Sequence, residues 1–158
     1  MLTQNAKISL GAAYARYLYD ETYIYEIDNY YKNTNGEQVT QPWDLSGRIW
    51  NKSVLKVGTG TTPATDLDYQ LENICTDLYY SNTTTYTNYK YSDNLDYLTM
   101  KTVVVTNNTS NSYVITELGL LGYCYSGHLA SWILLARENI EPVTLNPGDI
   151  ATFAIYIK

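Results

Sequence analysis

The sequence predicts a mainly β fold: an antiparallel β-sandwich or barrel-like domain with an N-terminal helix. Two observations carry this. Short runs that alternate apolar and polar residues recur through the second half, as in residues 97–106 and 150–157, and a period of two is the signature of a strand with one buried face. Clusters of Asn, Gly, Pro and Ser separate those runs, at the spacing expected of turns in an all-β domain. With 158 residues, 45% of them hydrophobic, such a domain can bury roughly 70% of its unfolded surface and needs no metal or disulfide staple.

Residues 3–19 read as the helix, because Ala6, Leu10, Ala13, Tyr14 and Tyr17 recur at three- and four-residue steps. Thr3 is placed to cap it, and Gly11 weakens it. The period changes over residues 22–31, where Tyr23, Tyr25 and Ile27 alternate with Ile24, Glu26 and Asp28 as in a strand. Asn33-Thr34-Asn35-Gly36 follows as a hairpin turn. An irregular connection begins at Gln41-Pro42-Trp43, and residues 48–57 form the next strand.

From Gly58 to Ile74 the chain opens with Gly-Thr-Gly and Pro63, which interrupt regular structure. Leu67, Gln70, Leu71 and Ile74 then have helical spacing, which predicts one or two helical turns. Residues 76–93 read as a strand between long loops. The strands at 97–106, 113–121, 130–137 and 150–157 are clearer. Between them lie a polar turn at 107–112, a loop at 122–128, and turns at Pro142 and at Asn146-Pro147-Gly148-Asp149. The expected organisation is an N-terminal helix and first strand over 1–31, and a β-sandwich domain over 32–158.

Tyrosine is the outstanding residue, with 18 copies against one Phe. Its ring is apolar and its tip polar, so it suits half-wet surfaces and interfaces, and it also serves simply as a strand aromatic. Tyr14, Tyr17, Tyr23, Tyr25, Tyr30 and Tyr31 are the candidate interaction residues. The segment bearing them either packs on its own domain or acts as a docking arm.

The formal charge is −6, and the ten Lys and Arg residues are scattered. Tracking phosphates requires clustered positive charge, so direct nucleic-acid binding is not expected, nor is attraction to an anionic membrane. No segment reads as a signal peptide or a membrane span. The expected site of synthesis is a cytoplasm, which the protein leaves only inside a particle. Cys75 and Cys124 stand far apart without a zinc pattern. They form either one disulfide or, the default in a cytosol, two buried thiols.

Catalytic signatures are missing from the sequence. His128 is the one histidine, Ser126 lies too close in sequence to be its partner in a triad, and Gly-Thr-Gly-Thr-Thr lacks the lysine of a phosphate loop. Asp66 and Asp68 fit helix capping better than a cation site, since the remaining calcium-loop ligands are missing. The sequons at Asn51, Asn82, Asn107 and Asn108 follow from Asn/Thr-rich composition. No cofactor and no metal are expected. Glu117 is an exception of another kind, a carboxylate between Ile115 and Leu118. Buried, it requires a partner, and Arg137 at the end of the next apolar strand is the candidate; facing solvent, it needs none.

Two stretches carry a resemblance. The first is Lys56-Val57-Gly58-Thr59-Gly60-Thr61-Thr62-Pro63-Ala64, followed by Asp66, Tyr69, Leu71 and Glu72. The second is Ile115-Thr116-Glu117-Leu118-Gly119-Leu120-Leu121, then Leu134-Leu135-Ala136-Arg137, Pro142-Val143-Thr144-Leu145 and Pro147-Gly148-Asp149. In this order they resemble small virion proteins of tailed bacteriophages, including the attachment domain of tail-collar fibre proteins. The resemblance spans about residues 54–158. It implies a β-rich particle protein without catalytic residues, joined to other virion proteins and usually oligomeric. Collar fibres continue into a shaft and this sequence ends at Lys158, so an adaptor, tail accessory or capsid decoration protein is the closer expectation. The alternative expectation is a carbohydrate-binding sandwich that attaches to a host glycan through Trp43, Trp50 or Trp132. An enzyme such as a glycosidase has no positive feature behind it.

Overall fold

A computed structural model describes residues 31–39, 53–85, 99–126 and 129–157. The helix expected at 3–19, most of the strand expected at 22–31, Trp43, Trp50 and His128 lie outside them. The described chain is mainly β, with no helix in it. Its strands are β1 (Tyr31–Lys32), β2 (Gln38–Val39), β3 (Val54–Gly58), β4 (Tyr79–Thr85), β5 (Thr99–Thr106), β6 (Tyr113–Ser126), β7 (Leu129–Leu145) and β8 (Ile150–Ile157). Two three-stranded antiparallel sheets, β3-β6-β7 and β4-β5-β8, pack as a sandwich, and β1-β2 form a separate hairpin. The expected boundary between an arm ending at residue 31 and a domain starting at 32 falls inside β1.

Alternation in the sequence becomes inside and outside in the second sheet. Val103 and Val105 of β5 point into the core with Phe153 and Ile155 of β8, while Thr102, Val104 and Thr152 stay partly or wholly exposed. Leu55 and Val57 of β3 and Leu118 and Leu120 of β6 meet them from the other sheet. Full burial of each such side chain contributes about 1.5–3 kcal/mol.

The β6–β7 ladder departs from simple alternation twice. Its register shifts between Ile115 and Glu117, and again between Leu120 and Leu121. At the first shift β7 sets Ile140, Glu141 and Pro142 opposite Thr116, so the proline sits where the ladder asks for no N–H. Pro142 therefore does not end the strand, as the sequence had suggested. Ile115 and Leu118, three residues apart, both enter the core as a result. At the second shift Leu135 is the extra residue, so Leu134 pairs with Leu121 while Ile133 and Leu135 belong to the core. Residues 133–137 are buried throughout. A strand covered on both faces reads as an unbroken apolar run, as Ile-Leu-Leu-Ala does here.

Residues 122–126 are strand, not loop: β6 continues to Ser126, which pairs with Leu129. Gly122 is buried within the strand opposite Ile133. The hairpin turn before β2 is built by Asn33. Its Oδ1 accepts from the N–H groups of Asn35 (3.0 Å) and Glu37 (2.9 Å), and Gly36 takes a positive φ of 80°.

Side-chain amides join the two sheets. Asn82 of β4 accepts the Leu55 N–H of β3 at 2.6 Å. Asn107, fully buried after β5, donates to the carbonyls of Asn111 (2.7 Å) and Leu145 (2.9 Å). Its Oδ1 accepts from the N–H and hydroxyl of Thr109. Its backbone bonds to Asp149 and Gly148 in the turn before β8. One residue thus holds the β5–β6 and β7–β8 crossings together with its hydrogen-bonding groups satisfied.

Candidate functional site: a buried carboxylate and its cover loop

The segment linking β3 to β4, residues 59–78, lies over the outer face of the β3-β6-β7 sheet, and Glu117 is the group beneath it. Glu117 has no solvent exposure. Its Oε1 accepts from the N–H groups of Gly60 (3.1 Å) and Asn73 (2.9 Å). Its Oε2 accepts from the Glu72 N–H (3.2 Å) and from Arg137 Nε (2.8 Å). A carboxylate removed from water requires such partners, and here three of the four are backbone amides of one loop.

Arg137, 3% exposed, continues the network outwards. It donates to Asp68 Oδ2 at 2.9 Å and to the Thr62 carbonyl at 3.1 Å, and Glu72 Oε2 stands 3.5 Å away. Asp68 in turn accepts from the Thr65 N–H and hydroxyl, each at 2.9 Å. Glu72 accepts the Thr62 N–H at 2.8 Å. Beside them Thr116 donates to the Gly60 carbonyl (2.7 Å), and Asn139 accepts the Ala64 N–H (2.7 Å). One guanidinium faces three carboxylates, and backbone N–H groups balance the remaining negative charge.

The electrostatics agree with the geometry. Burial alone would push the Asp68 carboxyl up, but the Thr65 N–H and the Arg137 guanidinium outweigh it and hold it below the usual carboxylate range. Burial would likewise lower Arg137, and hydrogen bonds to Asp68 and Glu117 instead raise it. The Thr62 N–H and hydroxyl hold Glu72 low.

Absent side chains are as necessary as the charges. A β-carbon on Gly60 would stand 2.5 Å from Glu72 Cβ and 2.6 Å from Glu117 Oε1. One on Gly58 would run into Glu117 Oε1 and the Asn73 carbonyl. Gly119 leaves room for Leu71, whose Cδ2 would lie 2.7 Å from an added methyl. These contacts explain the Gly-Thr-Gly spacing and the glycine two residues after the glutamate.

The cover loop corrects two expectations. No helical turn forms over Leu67–Ile74, because the N–H groups of Glu72 and Asn73 go to Glu117 rather than to carbonyls four residues back. Asp68 is therefore not a helix cap but an arginine partner. Asp68, Glu72, Asn73 and Gly60 were not identified as partners of Glu117 and Arg137. Their contacts with them span 44–69 residues of sequence, which no local pattern reveals.

The second feature is a groove of ≈ 510 Å³ between the β1–β2 hairpin and the same sheet face. Val54, Leu71, Leu121 and Trp132 form its apolar surface, with Asn35 and Gln70 among its polar lining. The hairpin is moored by the Thr34 N–H, which donates to the Trp132 carbonyl at 3.0 Å, and by Tyr69, whose ring lies against Gly36 with the Lys32 ammonium 5.6 Å from its centroid. Trp132 is 39% exposed and meets Tyr123 edge-on, ring centroids 5.0 Å apart. Lys56, another lining residue, holds its ammonium 3.8 Å from the Tyr80 ring centroid, and burial lowers its pKa.

Of the tyrosines singled out from sequence, Tyr14, Tyr17, Tyr23, Tyr25 and Tyr30 lie outside the described residues, and Tyr31 opens β1 opposite Val39. Cys75 is a buried free thiol. Among the described residues no cluster of three His, Cys, Asp or Glu side chains is placed to hold a metal ion. The chain matches no protein-family model, no curated protein and no solved structure at a significant level.

Proposed function

We propose that this chain is a non-enzymatic structural protein of the bacteriophage virion, a tail adaptor or accessory protein or a capsid decoration protein. It acts through contacts with other virion proteins as a homo-oligomer, and it reaches the particle from the host cytoplasm.

One observation carries the reading. The two stretches that resemble tailed-phage virion proteins, separated in the sequence, supply the members of a single network: Gly58, Gly60, Leu71 and Glu72 from the first, Glu117, Gly119 and Arg137 from the second. The residues behind the resemblance are thus spent on fastening a loop to a sheet. The Glu117 carboxylate takes four hydrogen bonds and is sealed from solvent, which suits a scaffold better than acid–base chemistry.

Mass spectrometry of purified particles tests the proposal, with the protein expected at a fixed stoichiometry; a particle preparation lacking it would overturn it. A reconstruction of the particle then separates tail from capsid. The carbohydrate-binding alternative draws on Trp132 and its groove.

A further inference from the structure

We infer that the groove beside Trp132 binds a neutral saccharide, a property independent of the virion assignment.

The platform is prepared in advance. Trp132 is 39% exposed and held by the edge contact with Tyr123, its pair across the β6–β7 ladder, while its own carbonyl is tied to the hairpin through Thr34. An indole held in this way loses little freedom when a ligand stacks on it. Val54 and Ile74, the half-buried and exposed apolar lining residues, add an apolar surface, which suits the C–H face of a pyranose ring.

The polar lining points to hydroxyl groups. Asn35 comes from the hairpin turn and Gln70 from the cover loop, so two separate elements deliver carboxamides to one groove. Both residues are exposed, and neither carboxamide makes a hydrogen bond within the described residues. A carboxamide offers both donors and an acceptor, which matches a hydroxyl that must give one hydrogen bond and take another.

Charge argues for a neutral ligand. The chain has 16 Asp and Glu residues, yet no carboxylate is among the described residues lining the groove. The cation there, Lys56, sits over the Tyr80 ring and is already engaged with it. The volume falls within the about 300–1,000 Å³ usual for small-ligand sites. An apolar peptide side chain would use the indole but leave both carboxamides without partners, so the saccharide fits better.

The test uses the full chain on an array of neutral and sialylated glycans, followed by calorimetric titration with cellobiose, maltose, lactose and diacetylchitobiose. We expect binding to at least one neutral glycan. Trp132→Ala should weaken it by about tenfold, a loss of about 1.4 kcal/mol. Gln70→Ala, at an exposed loop position, should weaken it several-fold without changing the melting temperature. No neutral glycan bound, sialylated glycans alone bound, or binding unaltered by Gln70→Ala and by Trp132→Ala would each overturn the inference. Presence of the protein in purified particles is measured separately, so a failure here leaves the virion proposal standing.

Discussion

Arg137 reaches Glu117 on a diagonal: in the β6–β7 ladder Arg137 stands opposite Gly119, and Glu117 stands opposite Asn139, yet Arg137 Nε lies 2.8 Å from Glu117 Oε2. Gly119, directly across from Arg137, is where Leu71 descends from the cover loop. The ion pair and the apolar plug are neighbours, and the loop lies over both.

Removing the carboxylate should be costly. Glu117→Ala strips Arg137 of one partner and leaves the N–H groups of Gly60, Glu72 and Asn73 without an acceptor. The expected loss is about 3–5 kcal/mol, read by urea unfolding. A double-mutant cycle with Arg137→Ala should be strongly non-additive. A midpoint equal to that of the unmodified chain would show that the network adds nothing to stability.

The glycines should rank by what surrounds them. Gly60→Ala forces a methyl group against Glu72 Cβ and Glu117 Oε1, and overpacking of this kind costs about 1–3 kcal/mol or more. Gly148→Ala meets no atom but must hold a φ of 87°, a backbone cost of about 1–2 kcal/mol. Gly119→Ala presses on Cγ and both Cδ atoms of Leu71, one side chain that can shift as a unit, and should cost less than Gly60→Ala. The order of the melting temperatures checks this.

Acid should weaken the latch in a defined window. Asp68 titrates below its ordinary value in the folded chain, so the unfolded chain binds the proton more readily. Its contribution is complete above the unfolded value of about 3.9 and is lost as pH falls through the depressed folded value. Stability should therefore decline below about pH 4–5, and Asp68→Asn should flatten that decline. At the alkaline end Cys75 runs the other way, because burial pushes its thiol up to about 11. Its share is present below about 8.5 and is lost as pH rises towards 11. The folded chain should accordingly react slowly with iodoacetamide at pH 8, and rapid labelling of Cys75 would contradict its burial.

Asn107→Asp tests the corner between the sheets. The substitution replaces the amide that donates to the Asn111 and Leu145 carbonyls with an acceptor. Each orphaned buried group costs about 1–3 kcal/mol, so urea unfolding should shift by at least that much. Asn108→Asp, one residue along on an exposed side chain, should change little.

The strands and turns were legible where local rules decide them. β5 and β8 follow from alternation, and the turns at Asn33–Gly36 and Asn146–Asp149 follow from their residues. The cover loop was not legible. Leu67, Gln70, Leu71 and Ile74 have helical spacing, but Leu67 is 71% exposed and Ile74 39%, while only Leu71 of the set is buried. The spacing reflects one apolar plug and three surface residues rather than a helix face. At the candidate site, a charge inside each of two apolar runs pointed to Glu117 and Arg137. Their loop partners remained hidden because backbone N–H groups, which every residue possesses, do most of the holding. The groove was legible only through Trp132, since Asn35 and Gln70 become neighbours by tertiary packing alone.

The latch also sets an order in time. Gly60 lies 57 residues before Glu117, and Thr62 lies 75 residues before Arg137. At about 5–20 residues per second of synthesis, the cover loop waits about 4–15 s for its arginine to be made. Glu117 is made 20 residues earlier, but until Arg137 follows the network cannot be completed. Contacts of such long range are formed late and slowly, so nascent chains should pass through a stage with the loop unfastened and Leu71 exposed. That interval, rather than the finished fold, is where a chaperone or a neighbouring chain has most opportunity to intervene.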